Sequence, residues 1–343
     1  VYACVAPIAS GLPAPACPAR TGDQDGDGLL DAWELAGYID VNCNGVNDGE
    51  GIDVQLAGAH VASPDLYVEL DYLERTSDSC TPGPCTSCTT DDDCAGIPGE
   101  QCGQAGVCVH THRPKQAAID AVTAALAHGL YLHVDDAHAD AIPEAGKLVI
   151  TFGAPDPSCT GPDGTASVFS DIKNQYAFSG PGGPSSPYAR ARRRVYHYAV
   201  FGHYSSCPPG PVGNPEQYCS ACPIDRGGNP PKSGATGTSE TPGNDVLVSL
   251  GAYLFDLGLP LTTNVEGGTW MHELGHNLGL GHGVALDGSG NPVPAQAPNR
   301  SPNYLSVMNY NYQTLGVPRA SAAGSGTAST FRQRSRELTR VYS

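Results

Sequence analysis

Basic residues are scarce where the charge is densest. Residues 1–100 contain 18 Asp and Glu but only two cations, Arg20 and Arg75, which is a net −16 of the chain's −17. A surface of that sign repels phosphates and excludes a nucleic-acid partner. Long apolar runs are missing too. No stretch of about eighteen apolar residues occurs, so no membrane span is expected. Charged residues make up only 15% of the 343, beside 43 glycines and 30 prolines, the composition of a loop-rich chain. Methionine is nearly absent, with two copies, Met271 and Met308. Val1 does not open a basic segment followed by an apolar one, as expected of a chain whose signal peptide has already been removed.

What the chain has in excess is cysteine. Thirteen cysteines in so loop-rich a chain point to an oxidising compartment, and the expectation is a secreted, extracellular protein. Six of them lie in "CTPGPCTSCTTDDDCAGIPGEQCGQAGVC", residues 80–108. Only Cys85 and Cys88 have a zinc-knuckle spacing and the surroundings are acidic, so a disulfide-rich insertion is the better reading. Four more (Cys159, Cys207, Cys219, Cys222) can pair among themselves, which leaves Cys4, Cys17 and Cys43 as an odd set.

One segment carries chemistry. "GTWMHELGHNLGLGHG" places His272 and His276 four residues apart, one helical turn, so both imidazoles project from one face of a helix. His282 is six residues further on and off that face, but Gly279 between them can adopt the left-handed conformation that ends a helix and turns the chain back. Three neutral imidazoles around one point, with a position left for water, is the ligand set of a catalytic zinc site rather than a structural one. A bare H-E-x-x-H arises by chance; this one extends to His272-Glu273-x-x-His276-x-x-Gly279-x-x-His282 on an amphipathic segment.

The extended motif resembles the metzincin zinc endopeptidases. Downstream, "NYLSVMNYNYQ" holds Met308, resembling the methionine turn that floors the zinc in that family. Tyr310 resembles the tyrosine that astacins, serralysins and pappalysins use as a labile extra zinc ligand. Gly283, after the third histidine, departs from the best-known subfamilies, and the nearest likeness is to secreted bacterial metzincins with a calcium-loop N-terminus. The resemblance implies an endopeptidase for protein or peptide substrates, in which Glu273 is the general base and Tyr310 assists the oxyanion. It also implies that the lower edge strand of the sheet holds substrate backbone, with residues 195–204 as the candidate. Some metzincin zymogens block the zinc with a propeptide cysteine. Cys4 is the candidate for that role, although an ordinary thiol is the simpler reading.

Calcium is expected as a second cofactor. "DQDGDGLLDAWE" fits the pattern D-x-[DN]-x-[DN]-G-x5-E, with ligands Asp23, Asp25, Asp27, the Leu29 carbonyl, Asp31 and Glu34. A partial second loop offers Asp40, Asn42, Asn44, the Val46 carbonyl and Asp48. Its twelfth position is Gly51, so Glu50, Asp53 or another carboxylate would have to close it.

The remaining segments supply a scaffold. "SPDLYVELDYLE" alternates Leu66, Val68, Leu70 and Tyr72 with polar residues and reads as a strand. Residues 113–129 read as a helix closed by Gly129, and strands are expected in "LYLHVDD", "KLVITFG", "RVYHYAVFGHYSS" and "DVLVSLGAYLF". His133 and His138 have no partner at ligand spacing, and the arginine run 190–194 reads as a solvated charged face. The expected fold is α+β of the α/β/α zincin type. It has a twisted, mixed five-stranded sheet, a backing helix, an active-site helix and a small irregular C-terminal subdomain. The expected division is a calcium-binding segment at 1–60, a catalytic domain at 61–317 and a tail at 318–343. The cofactors are one catalytic zinc and one or two structural calcium ions, and the chain is read as a monomer. Two other readings stay open: a secreted binding protein on the same scaffold, and a zinc hydrolase acting on something other than peptides.

Overall fold

The computed structural model describes residues 22–74, 87–89, 100–102, 107–135, 141–144, 150–152, 167–178, 182–205, 236–251, 261–283 and 304–317. In chain order the elements begin with α1 (Asp31–Ala36), β1 (Tyr38–Ile39), β2 (Val54–Gln55), β3 (Asp65–Glu74), β4 (Glu100–Cys102) and β5 (Cys108–His110). Next come α2 (Gln116–Leu126), β6 (Tyr131–Asp135), β7 (Ala141–Pro143), β8 (Ile150–Thr151) and β9 (Ser167–Val168). The last are α3 (Phe169–Gln175), α4 (Pro187–Val195), β10 (Tyr196–Gly202), β11 (Gly237–Ser239), β12 (Asp245–Ser249) and α5 (Thr263–Asn277). The protein is mixed α+β, with both parallel and antiparallel strand pairs. It forms two compact units: residues 1–147, 151–154 and 167–201, and residues 148–150, 155–166 and 202–343. No helix among the described residues is long and apolar enough to cross a membrane.

The first unit is built around β3. It runs parallel to β10, from Tyr67↔Tyr196 to Tyr72↔Phe201, and parallel to β6, from Asp65↔Tyr131 to Glu69↔Asp135. The far end of β3 pairs with β7. Alternation in the sequence suggests one wet face, yet Asp65, Glu69 and Asp71 are as buried as the apolar positions between them. The reason is the parallel pairing, whose crossover connections cover both faces of a strand. Each buried carboxylate has partners: Asp65 binds His60 and His133, Glu69 accepts from the Phe178 amide and Arg192, and Asp71 accepts from the Tyr198 hydroxyl at 2.6 Å. His133, which has no partner at ligand spacing in the sequence, is 2.6 Å from Asp65; His138 lies outside the described residues.

The arginine run is the largest departure from expectation. It lies on α4, which Ser186 caps by accepting from the Ala189 amide, with Pro187 in the first turn. Arg190 and Arg194 face solvent as expected, but Arg192 is only 2% exposed. Its guanidinium donates to Glu69 at 2.7 Å, to Glu50 at 2.9 Å and to Asp135, while stacking 4.2 Å from the Tyr196 ring centre. One planar fork thereby ties α4, β3, β6 and the loop before β2 together.

Part of the cysteine-rich segment is described. β4 and β5 form an antiparallel hairpin, and Cys43, Cys88 and Cys108 are each disulfide-bonded. Cys4, Cys17, Cys159, Cys207, Cys219, Cys222 and the tail at 318–343 lie outside the described residues. Of the expected strand "KLVITFG", Ile150–Thr151 forms one among the described residues.

In the second unit β11 pairs antiparallel with β12, from Gly237↔Val248 to Ser239↔Val246, and α5 packs on both strands. Arg192→Ala in the first unit is expected to lower unfolding free energy by about 3–5 kcal/mol, because it strands buried carboxylates. Arg192→Lys should not restore it, since one ammonium cannot reproduce the fork. Denaturant titration of the two variants checks this.

Candidate metal centre

The helix that carries the motif is defined at both ends. Thr262 caps α5 by accepting from the Val265 amide at 3.3 Å. At the other end Gly279 has φ +85°, its amide donates to the His276 carbonyl at 2.8 Å, and the Leu280 amide donates to the Gly275 carbonyl at 2.9 Å. This pair of bonds is the Schellman closure, which needs a residue able to take positive φ. It turns the chain back so that His282 meets the other two histidines.

The three Nε2 atoms face one point. His272 and His276 are 3.1 Å apart, His276 and His282 3.0 Å, and His272 and His282 3.2 Å. The Nδ1 of His272 donates to the Val307 carbonyl at 2.8 Å, and that of His276 donates to the Leu280 carbonyl at 2.7 Å. A carbonyl only accepts, so these two imidazoles carry their proton on Nδ1 and present a bare lone pair at Nε2. Burial pushes His272 down to about 4 and lowers His276 and His282 as well, so all three are neutral near pH 7. Lone pairs converging at such distances repel unless a cation lies among them. Nitrogens each about 2.0–2.1 Å from a tetrahedral zinc stand roughly 3.3 Å apart, so the residues fit that ion.

Beneath them lies the segment 304–317. Met308 is 2% exposed, and a Cβ placed on Gly275 would fall 2.3 Å from its sulfur. A Cβ on Gly268 would fall 1.9 Å from the Gln313 carbonyl oxygen. Two glycines on α5 thus let this segment approach closely enough for Val307 to orient His272. The Tyr310 ring is 4.5 Å from that of His282 and 5.4 Å from that of His272, and the residue is 44% exposed.

Glu273 is 4% exposed and accepts from the Ser239 hydroxyl at 2.8 Å. Burial pushes its carboxyl up to about 7, against the lowering effect of that hydrogen bond. A Cβ on Gly237 would fall 2.5 Å from its Oε1, so β11 is the strand against the motif glutamate. Of residues 195–204, the candidate substrate-binding edge strand, Tyr196–Gly202 forms β10, paired with β3. Sequence reasoning missed Gly237 and Ser239, which lie in no motif and gain meaning only from the packing of β11 on α5.

A second set of candidate ligands is acidic. Asp23, Asp25 and Asp27 converge, and so do Asp27, Glu34 and Asp65. Asp65, at the start of β3, was not anticipated; its amide donates to Asp27 at 2.8 Å. Glu34 is 5% exposed, neither of its oxygens has a hydrogen-bond partner, and burial followed by Asp27 pushes it up to about 7. Two buried acceptor oxygens facing other carboxylates are what a calcium ion requires of a twelfth-position glutamate. Asp31 joins neither group; its carboxylate accepts from the Gln24 amide at 2.8 Å and closes the loop. Leu29 is buried, and its amide donates to Asp27.

The second expected loop is closed by similar bonds from its own backbone. Asp40 accepts from the Asn44 and Gly45 amides, Asn44 accepts from the Val46 amide, and Asp48 accepts from the side chains of Asn42 and Asn44 at 2.6 Å. Asp53 holds the Val41 and Asp48 amides, while Glu50 binds Arg192. Both candidate closing carboxylates thus have partners of their own.

Comparison with protein-family models, curated proteins and solved structures finds no match to this chain.

The two α5 glycines predict unequal costs. Gly275→Ala gains about 1 kcal/mol of helix propensity, offsetting part of an overpacking cost of about 1–3 kcal/mol as the thioether moves aside. Gly268→Ala meets backbone that cannot move aside, so its melting temperature should fall further, with loss of bound metal. Thermal melts and metal analysis of the two variants compare them.

Proposed function

We propose that this chain is a secreted zinc endopeptidase of the metzincin type, braced by calcium. One observation carries the reading: the Nε2 atoms of His272, His276 and His282 converge over buried Met308, next along α5 to Glu273. On this reading the α+β architecture is that of a zincin catalytic domain, and the cysteines suit an oxidising compartment. Zinc bound there supplies a Lewis acid for a peptide carbonyl and raises the acidity of water.

The chain's own residues do the rest. Glu273, poised near 7 by burial and steadied by Ser239, accepts the proton of the attacking water and delivers it to the leaving amine. Tyr310, half exposed beside His282, is the donor assigned to the developing oxyanion. Among the described strands β11 pairs only with β12, and its other edge receives an extended peptide by strand addition. The Val307 carbonyl holds the His272 imidazole in place, and Met308 packs against Gly275 beside it.

Glu273→Gln keeps the three imidazoles and removes the base. The variant should bind zinc like the parent while casein hydrolysis falls by about a thousandfold or more. Undiminished cleavage overturns the assignment.

Glu34 gives a second test. Its folded value, about 7, lies above the ordinary 4.5, so without calcium its contribution to stability is present below pH 4.5 and lost as pH rises through 7. Glu34→Gln should therefore raise the melting temperature in calcium-free buffer at pH 8. In millimolar calcium it should lower it, because a ligand is lost. The same shift in both buffers refutes a calcium site at this loop.

A further inference from the structure

A second group of imidazoles lies in the first unit, in no motif of the sequence. His110 ends β5, and His112 follows after one intervening residue. Strand alternation puts both on one side and Thr111 on the other, and the backbone of Thr111 bridges to Glu74 at the end of β3. Glu144 follows β7 and reaches both rings: Oε1 is 3.4 Å from Nε2 of His112, and Oε2 is 3.9 Å from Nδ1 of His110. The side chains of His110, His112 and Glu144 are 7%, 7% and 5% exposed.

We propose that His110, His112 and Glu144 form a second metal site, taking a divalent transition ion of the zinc class. The ligand atoms of the three side chains all lie within 4.8 Å of one another. Glu144 lies 3.4 Å from His112, a long hydrogen bond, and 3.9 Å from His110. These separations are close to the roughly 3.3 Å edge between two ligands of a tetrahedral ion. Two imidazoles and one carboxylate suit zinc; calcium and magnesium take oxygen ligands alone, and copper(I) prefers sulfur.

The backbone around the group is fixed before any ion arrives. The His112 amide donates to the Leu73 carbonyl and the Glu144 amide to the Glu74 carbonyl, both at 2.8 Å. Two ligands are thus hung from consecutive residues of β3, and the third comes from the cysteine-bearing hairpin. An ion here pins the end of β3, the hairpin and the segment after β7 to one another. Its role is structural, independent of the peptidase reading.

Zinc content of the full chain, after dialysis against metal-free buffer, tests the site. Two zinc equivalents are expected in the parent, one in His112→Ala or Glu144→Gln, and one in His276→Ala. A parent with a single zinc that His276→Ala removes overturns the second site and leaves the peptidase centre standing. A single zinc that His112→Ala removes and His276→Ala keeps does the reverse. Folding of the His112 and Glu144 variants need not be assumed, because His276→Ala leaves the second site intact. Adding zinc to metal-stripped His276→Ala should raise its melting temperature; an unchanged melt means that the group holds only a proton, and refutes the proposal.

Discussion

The candidate centre depends on how closely the segment 304–317 approaches α5. Gly268 and Gly275 are the positions at which any side chain would push the two apart, one against backbone and one against the Met308 thioether. With that approach made, the Val307 carbonyl fixes the tautomer of His272 and Met308 fills the space beneath. The Schellman closure at Gly279 brings His282 across, and the Leu280 carbonyl fixes His276 in the same way. The convergence of three Nε2 atoms is therefore a consequence of backbone geometry in which glycine is required at three places.

Buried charge sets the first unit. Asp65, Glu69 and Asp71 project from a strand covered on both faces, and each is met by a different kind of partner: imidazole, guanidinium or phenol. Such groups are costly to bury and costly to strand, so their partners fix the register of β3 against its neighbours more tightly than apolar contacts would. Asp65 also faces the acidic loop through Asp27 and Glu34, which couples the loop's cation chemistry to the first residue of the central strand.

The two candidate metal centres differ in how visible they are. In the second unit the ligands lie within eleven residues of one another, on a helix and its return. In the first, His110 and Glu144 are separated by more than thirty residues and are joined only because both segments hang from the end of β3. A spacing rule finds the first kind and is blind to the second. The same blindness applies to Ser239 and Gly237, which touch Glu273 from a strand with no motif of its own.

What the sequence by itself determined is local. The helical turn between His272 and His276, the break at Gly279, the acidic loop from Asp23 to Glu34, α2 and the strand character of β3 all follow from periodicity, side-chain chemistry and glycine's access to positive φ, within a dozen or so residues. Tertiary structure decided what those segments meet. It buried Arg192 out of an otherwise solvated run, since a guanidinium has somewhere to go only when Glu50, Glu69 and Asp135 surround it. It engaged Asp53 and Glu50, the candidate closing carboxylates of the second acidic loop, with backbone amides and with Arg192. It put β11 against the motif glutamate. In each case the deciding term is the desolvation of a polar group, whose sign depends on a partner far away in the chain and is invisible until the fold supplies it.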